Sequence, residues 1–255
     1  LPLQMDRLID AVADVSERVV VVLLGGAPVE MPWLPKVRAL LSMGLAGQAV
    51  GGALATLLFG GASPSGKLAE TWPLRPSDCA SDADFGRDPR RVVYREGLHV
   101  GYRHFITSSV PTAFPFGHGL SYTTFRYGRI SLSEMRISAA GSLEVGVELS
   151  NVGDVDGAEV VQLYVRELRP SVYRPDRELR AFAKVRLAPG ESTAVTLTLG
   201  PRAFAHWDVG GGRWRVTAGT YALLVGASAE DIRAEAEVFV GDDDDAPDAP
   251  SRLQQ

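Results

Sequence analysis

VVYREGLHVGYRHFITSSVPTAFPFGHGLSYTTF, residues 92–125, divides the chain into two unlike halves. Tyr94, Tyr102, Phe105, Phe114, Phe116, Tyr122 and Phe125 alternate in it with Gly97, Gly101, Gly117 and Gly119. Large rings beside glycines suit a segment clamped between two bodies, where backbone must come close to backbone. The stretch therefore reads as a seam between the upstream and downstream halves.

Upstream the pattern is α/β. Met5, Leu8, Ile9, Val12 and Val15 fall at helical spacing among charged residues, which predicts an amphipathic helix from about Leu3. Arg18–Leu24 is a β-branched run of the kind that fills a parallel strand buried on both faces. Gly25–Gly26 end it, and Pro28 and Pro32 keep the next turn short. Val37–Leu41 predicts a second strand, Gly47–Phe59 a close-packed helix, and Lys67–Trp72 a third strand stopping at Pro73. About three parallel strands with two helices make a poor doubly wound sheet. The α/β body is thus expected to be incomplete on its N-terminal side. Leu1, with neither initiator Met nor signal sequence, agrees with a piece of a longer chain. Pro73–Arg91 reads as a polar surface loop.

Downstream the period changes to two. Leu143, Val145, Val147 and Leu149 alternate with polar residues; so do Val161–Val165, Ala181–Val185, Val195–Leu199, Tyr221–Val225 and Ala234–Val238. Turns are expected at Asn151–Asp154, Ala188–Glu191 and Gly210–Gly212. Seven or eight short strands at this spacing predict a β-sandwich. Tyr221, after Ala218-Gly219-Thr220, is expected either to pin a loop through its hydroxyl or simply to pack in the core. Asp242–Asp245 opens a tail without apolar content, expected to be disordered. The boundaries are read as 1–125, 126–240 and 241–255.

Composition narrows the function. At 255 residues, with a net charge of -5, the chain is a poor partner for a phosphate backbone. No apolar run approaches the roughly 20 residues of a membrane span. The single cysteine, Cys79, excludes an intrachain disulfide, and His99, His104, His118 and His206 lack metal-ligand spacing. No cofactor or metal is expected. GQAVGGA, residues 47–53, lacks the Lys-Ser/Thr ending of a phosphate loop.

Several stretches carry a family resemblance: VVVVLLGGAPVEMPW, FGGASPSGKLAETWP, YREGLHVGYR, FPFGHGLSYTTF, ELRAFAKVRLAPGES and AGTYALLVGAS. Long, specific and in this order from Leu3 to Val240, they resemble the C-terminal half of glycoside hydrolase family 3, of β-glucosidase type. The resemblance implies an α/β sandwich with a mostly parallel sheet, cut at its N-terminal side. An immunoglobulin-like, fibronectin type III-like β-sandwich would follow it. It implies retaining hydrolysis of terminal β-linked glucose with water and no metal, carried by two carboxyl groups about 5 to 5.5 Å apart. In the family the nucleophile is an Asp of an N-terminal (β/α)8 barrel. The acid/base is a Glu in a Glu-Gly-x-Asp-Arg-like stretch ahead of the first helix. Neither has a counterpart here, so no catalytic residue is assigned. Ala49 stands where the family often has Glu, and no role is transferred to it. The resemblance makes the chain one wall of a cleft and the brace of a barrel that it does not contain. The competing reading is a non-catalytic carbohydrate-binding or assembly module.

Among the carboxylates present, Glu30 and Glu96 are the candidates for substrate binding. Glu30 follows the C-terminal end of a strand, where open α/β sheets place ligands, though a capping or ion-pairing role is more usual. Glu96 sits in the seam beside Arg95, which favours its ionised form and a structural salt bridge. Glu70 is expected to be paired inside a strand, and Asp231 to belong to a turn. Trp33, Trp72, Trp207 and Trp214 could stack on sugar rings; core packing is the expected role of each.

Overall fold

The computed structural model describes residues 1–2 and 4–242. Residues 243–255, and with them most of the expected acidic tail, lie outside the described residues.

The first body is small. Helix α1 (Met5–Ala13) packs its Ile9 side near strand β1 (Val20–Leu23), and β1 pairs in parallel with β2 (Ala39–Ser42). Helix α2 (Val50–Leu58) follows. A second, two-residue strand pair is antiparallel: β3 (Trp72–Pro73) with β4 (Thr112–Phe114), the two flanking helix α3 (Tyr102–Thr107) in sequence. The apolar cluster here is built on Val21, Met31, Trp33 and Trp72. Trp33 is fully buried, and its indole N–H donates to Asp6 Oδ1 at 2.7 Å, tying the loop after β1 to the first turn of α1.

Three expectations for this body need correction. The mostly parallel three-stranded sheet is one parallel pair plus one antiparallel pair. Residues 67–71 are not a strand, because their partner is a loop. Leu68 N–H donates to His118 C=O and Gly117 N–H to Leu68 C=O, each at 2.8 Å, which ties the stretch to the FPFGHG loop without continuing a ladder. The run at β1 is not buried on both faces: Val21 is 8% exposed but Val20 46%. Likewise α1 and the Ala/Gly-rich α2 contain no buried residue. Small side chains permit close packing, yet Leu54 and Leu57 of α2 are only half-buried and Leu58 is exposed.

The second body is the β-sandwich. Strands β5 (Phe125–Leu132), β6 (Arg136–Ile137), β7 (Leu143–Asn151), β8 (Gly157–Glu167), β9 (Glu178–Leu187) and β10 (Ser192–Leu199) come first. The hairpin β11 (Ala205–Asp208)–β12 (Arg213–Val216) and strands β13 (Gly219–Gly226) and β14 (Ile232–Val240) complete it. A three-stranded sheet, β10-β7-β5, faces a five-stranded one, β6-β14-β13-β8-β9. The inward residues are those the period-two pattern picks out, among them Leu143, Val145, Leu149, Val161, Leu163, Val195, Leu199 and Leu223. Tyr221 serves both anticipated roles: it is wholly buried and its hydroxyl donates to Thr217 C=O at 2.7 Å. Burial above all pushes that phenol up to about 12.

Strands β8 and β13 of the five-stranded sheet are covered on both sides over part of their length, which period two does not announce. Their outer face presents Tyr164, Ala222 and Leu224, all buried, together with Ala229, and Tyr102, Ile106 and Phe116 of the seam lie on them. The signal is in β13: Tyr-Ala-Leu-Leu-Val, residues 221–225, is apolar at consecutive positions, the mark of a strand without a solvent face.

Candidate functional site

The seam holds the two bodies together by polar contacts as well as rings. Tyr102 stacks on Phe116 with centroids 4.6 Å apart, meets Tyr164 edge-on at 6.1 Å, and accepts the N–H of Leu179 at 2.8 Å. Gln162, 2% exposed on β8, is the hub: its Nε2 donates to Gly117 C=O at 3.1 Å and Ala227 C=O at 2.7 Å, and its Oε1 accepts Tyr164 O–H at 2.6 Å. Lys67 Nζ lies 2.7 Å from Glu159 Oε1 and donates to Gly119 C=O at 2.8 Å, with both charged side chains about nine-tenths buried. Arg103 and Glu178 add an ion pair at 3.6 Å, and Thr107 Oγ1 accepts Asp176 N–H at 3.0 Å. The expectation of a seam holds for Tyr102 and Phe116. Tyr94, 80% exposed, and Tyr122, 52%, are not part of its packing, while Phe114 belongs to the first body and Phe125 to the sandwich core.

On the side of the seam away from the sandwich lies a cavity of about 390 Å³. The loop after β1 contributes Pro28, Val29 and Glu30; the approach to β3 contributes Glu70 and Thr71; the seam contributes Glu96, Val100, Gly101, His104 and Phe105. Arg75, Pro76 and Cys79 close it from the loop that the sequence presents as merely polar. That loop is anchored: His104 Nε2 lies 3.1 Å from Asp78 C=O, and the Asp78 carboxylate accepts Arg75 N–H at 3.1 Å. Burial first, then Asp78 and Asp82, hold the Cys79 thiol above its ordinary range.

The candidate carboxylates thus come together, far apart in sequence but around one cavity. Their anticipated ion pairs do not form. Arg95 reaches past Glu96 to Asp84, at 3.2 Å. Glu30 and Glu70 form no ion pair among the described residues, and Glu70 sits in a bend instead of a strand. Asp231 pairs with Arg233, as fits a turn residue. The tryptophans split. Trp33 and Trp72 are core, as expected. Trp207 and Trp214 are not: 49% and 46% exposed, they face each other across the β11–β12 hairpin at 5.5 Å, with the Arg202 guanidinium 3.5 Å over Trp214. They sit on a two-stranded hairpin of four-residue strands, over which no further strand is paired among the described residues. Two of the histidines are engaged in ring stacking. His99 stacks on Tyr173 at 4.4 Å and His118 on Phe114 at 5.0 Å, and among the described residues no three or more metal-binding side chains converge.

Comparison with known proteins matches residues 1–122 to the glycosyl hydrolase family 3 C-terminal domain and residues 159–229 to a fibronectin type III-like domain. The chain belongs to glycoside hydrolase family 3. Thermostable β-glucosidase B of Acetivibrio thermocellus is 48% identical over 240 residues, covering 94% of this chain and 32% of that protein. A β-glucosidase of Rhizobium radiobacter is 46% identical over 244 residues, covering 94% and 30%. The crystal structure of a Kluyveromyces marxianus β-glucosidase in complex with glucose superposes with a TM-score of 0.90 at 37% identity, over 95% of this chain and 28% of that one. The chain therefore spans about a third of the length of these family 3 relatives and corresponds to their C-terminal part.

Proposed function

We propose that this chain is the C-terminal part of a retaining β-glucosidase, dividing at about residue 125 into the α/β body and the β-sandwich. It forms one wall of the cleft and braces a catalytic barrel carried elsewhere in the longer protein. The similarity to β-glucosidases over 94% of the chain carries this reading. Two structural features support it. The exposed apolar side of the first body, with Leu8 64%, Leu24 62% and Phe59 89% exposed, suits burial against further protein. The cavity rimmed by Glu30 and Glu96 suits contact with a hydroxyl-rich substrate. No nucleophile and no acid/base is assigned within the chain. Glu96 lines a wall and is not a catalyst.

Purified chain is expected to leave aryl β-glucosides intact, since losing catalytic carboxylates costs orders of magnitude in rate. Supplying, as a separate polypeptide, the part of the A. thermocellus enzyme that precedes the matched region should restore turnover. Turnover by the chain alone that vanishes in Glu96→Gln would overturn the assignment, and so would failure of every such pairing to associate.

A further inference from the structure

The cavity contains a polar group that the chain itself does not satisfy. Thr71 lines it, is 7% exposed, and its Oγ1 is buried without any hydrogen-bond partner. A buried hydroxyl left unpaired costs about 1–3 kcal/mol, which a fold does not ordinarily retain unless something else supplies the partner. Around the same space stand Glu30, Glu70 and Glu96, acceptors without ion pairs among the described residues. Between them the wall is apolar, with Val29, Val100 and Phe105. Carboxylates disposed around an apolar wall are acceptors for hydroxyl donors, and the carbon face of a sugar ring needs an apolar surface. The volume, about 390 Å³, lies at the small end of ligand sites. A metal ion is a worse fit, because no three such donors converge among the described residues.

We propose that this cavity is a pyranose subsite, in which Glu30, Glu70 and Glu96 accept sugar hydroxyls and Thr71 exchanges a hydrogen bond with the guest. The choice of a sugar over other hydroxylated ligands rests on the proposed glycosidase function. The binding itself requires no catalysis and belongs to this chain alone.

Cys79, the only cysteine in the chain, lines the cavity and serves as the reporter. Alkylation of the 255-residue chain is measured at about pH 9, above the ordinary thiol range, and each rate in increasing glucose, cellobiose or xylose is compared with that of the same chain without sugar. Protection tracks occupancy, so a sugar at ten times its dissociation constant should slow alkylation about tenfold. Thr71→Val should weaken protection about fivefold, the worth of one hydrogen bond. Glu30→Gln or Glu96→Gln should weaken it about tenfold or more, because a charged acceptor is lost. The melting temperature separates binding from folding: Thr71→Val replaces an unpaired hydroxyl by a methyl group and should leave it unchanged or raised.

Three results would overturn the subsite. The first is alkylation of Cys79 at the rate of free cysteine, which would mean that no cavity exists in solution. The second is protection by guanidinium or lysine but by no sugar, which would make the cavity a socket for a basic side chain. The third is sugar protection equal in Thr71→Val, Glu30→Gln and the parent chain. Protection by sugar without rescue of turnover by the added catalytic part would count against the cleft-wall reading and leave the subsite standing; the reverse would sink the subsite alone.

Discussion

Gly117→Ala is the sharpest test of how the two bodies are joined. Gly117 is buried with φ 81°, in the left-handed region, and a Cβ added there would run into the Gln162 side chain, its Oε1 first. Gln162 cannot swing aside cheaply, since hydrogen bonds to Gly117 C=O, Ala227 C=O and Tyr164 O–H hold it. The backbone term is about 1–2 kcal/mol for a residue with a Cβ. Forcing the extra atom into a packed site adds about 1–3 kcal/mol. The sum, about 2–5 kcal/mol, corresponds to a fall in melting temperature of about 4–20 °C at this chain length. Differential scanning calorimetry of Gly117→Ala, Gln162→Ala and the double variant separates the terms. With the Gln162 amide gone, only the backbone term should remain, leaving a coupling of about 1–3 kcal/mol between the two sites. Additive effects, or a single-variant loss below about 1 kcal/mol, would refute the claim that this contact locks the seam.

Phe116→Ala removes the ring stacked on Tyr102 and should cost about 2–4 kcal/mol, less than a wholly buried Phe; sugar protection of Cys79 should move far less, and unchanged melting with lost protection would make Phe116 a binding wall instead. Lys67→Met strands Glu159 in a buried site and should cost about 3–5 kcal/mol, whereas adding Glu159→Gln should recover most of it, both read from urea melts. Burial first, then Lys67, holds His118 below its usual range, and burial first, then Arg103 and His104, does so for His99. The unfolded chain therefore binds more protons below about pH 6.5, so stability is complete above that pH and falls as acid is added; His99→Gln with His118→Gln should flatten the decline. Residues 130–240 expressed alone should melt cooperatively while residues 1–125 alone should not, as circular dichroism would report; a cooperative, monomeric 1–125 would count against an incomplete first body.

Much of this protein is legible along the chain because it depends on local order. The sandwich strands and their inward faces follow from period two, since alternate side chains of a strand point to opposite faces whatever lies elsewhere. Turns at Asn151–Asp154 and Ala188–Glu191, and α1 with its Leu8, Ile9 and Val12 stripe, are local in the same sense. The aromatic and glycine-rich stretch marks the seam, but only the fold decides which rings serve it: Tyr102 and Phe116 meet Tyr164, while Tyr94 and Tyr122 stay outside. The same limit applies to charges. Arg95 stands next to Glu96 in sequence yet pairs with Asp84, and Lys67 finds Glu159 across the seam. Trp207 and Trp214 have the composition of core residues, yet on their two-stranded hairpin they stay about half exposed. The cavity is the extreme case. Glu30, Glu70, Thr71 and Glu96 come from three separate segments, and no spacing relates them. Periodicity records which way a side chain leaves its own strand or helix; which neighbour it meets is set by how those elements pack, and that is decided by burial summed over the whole chain.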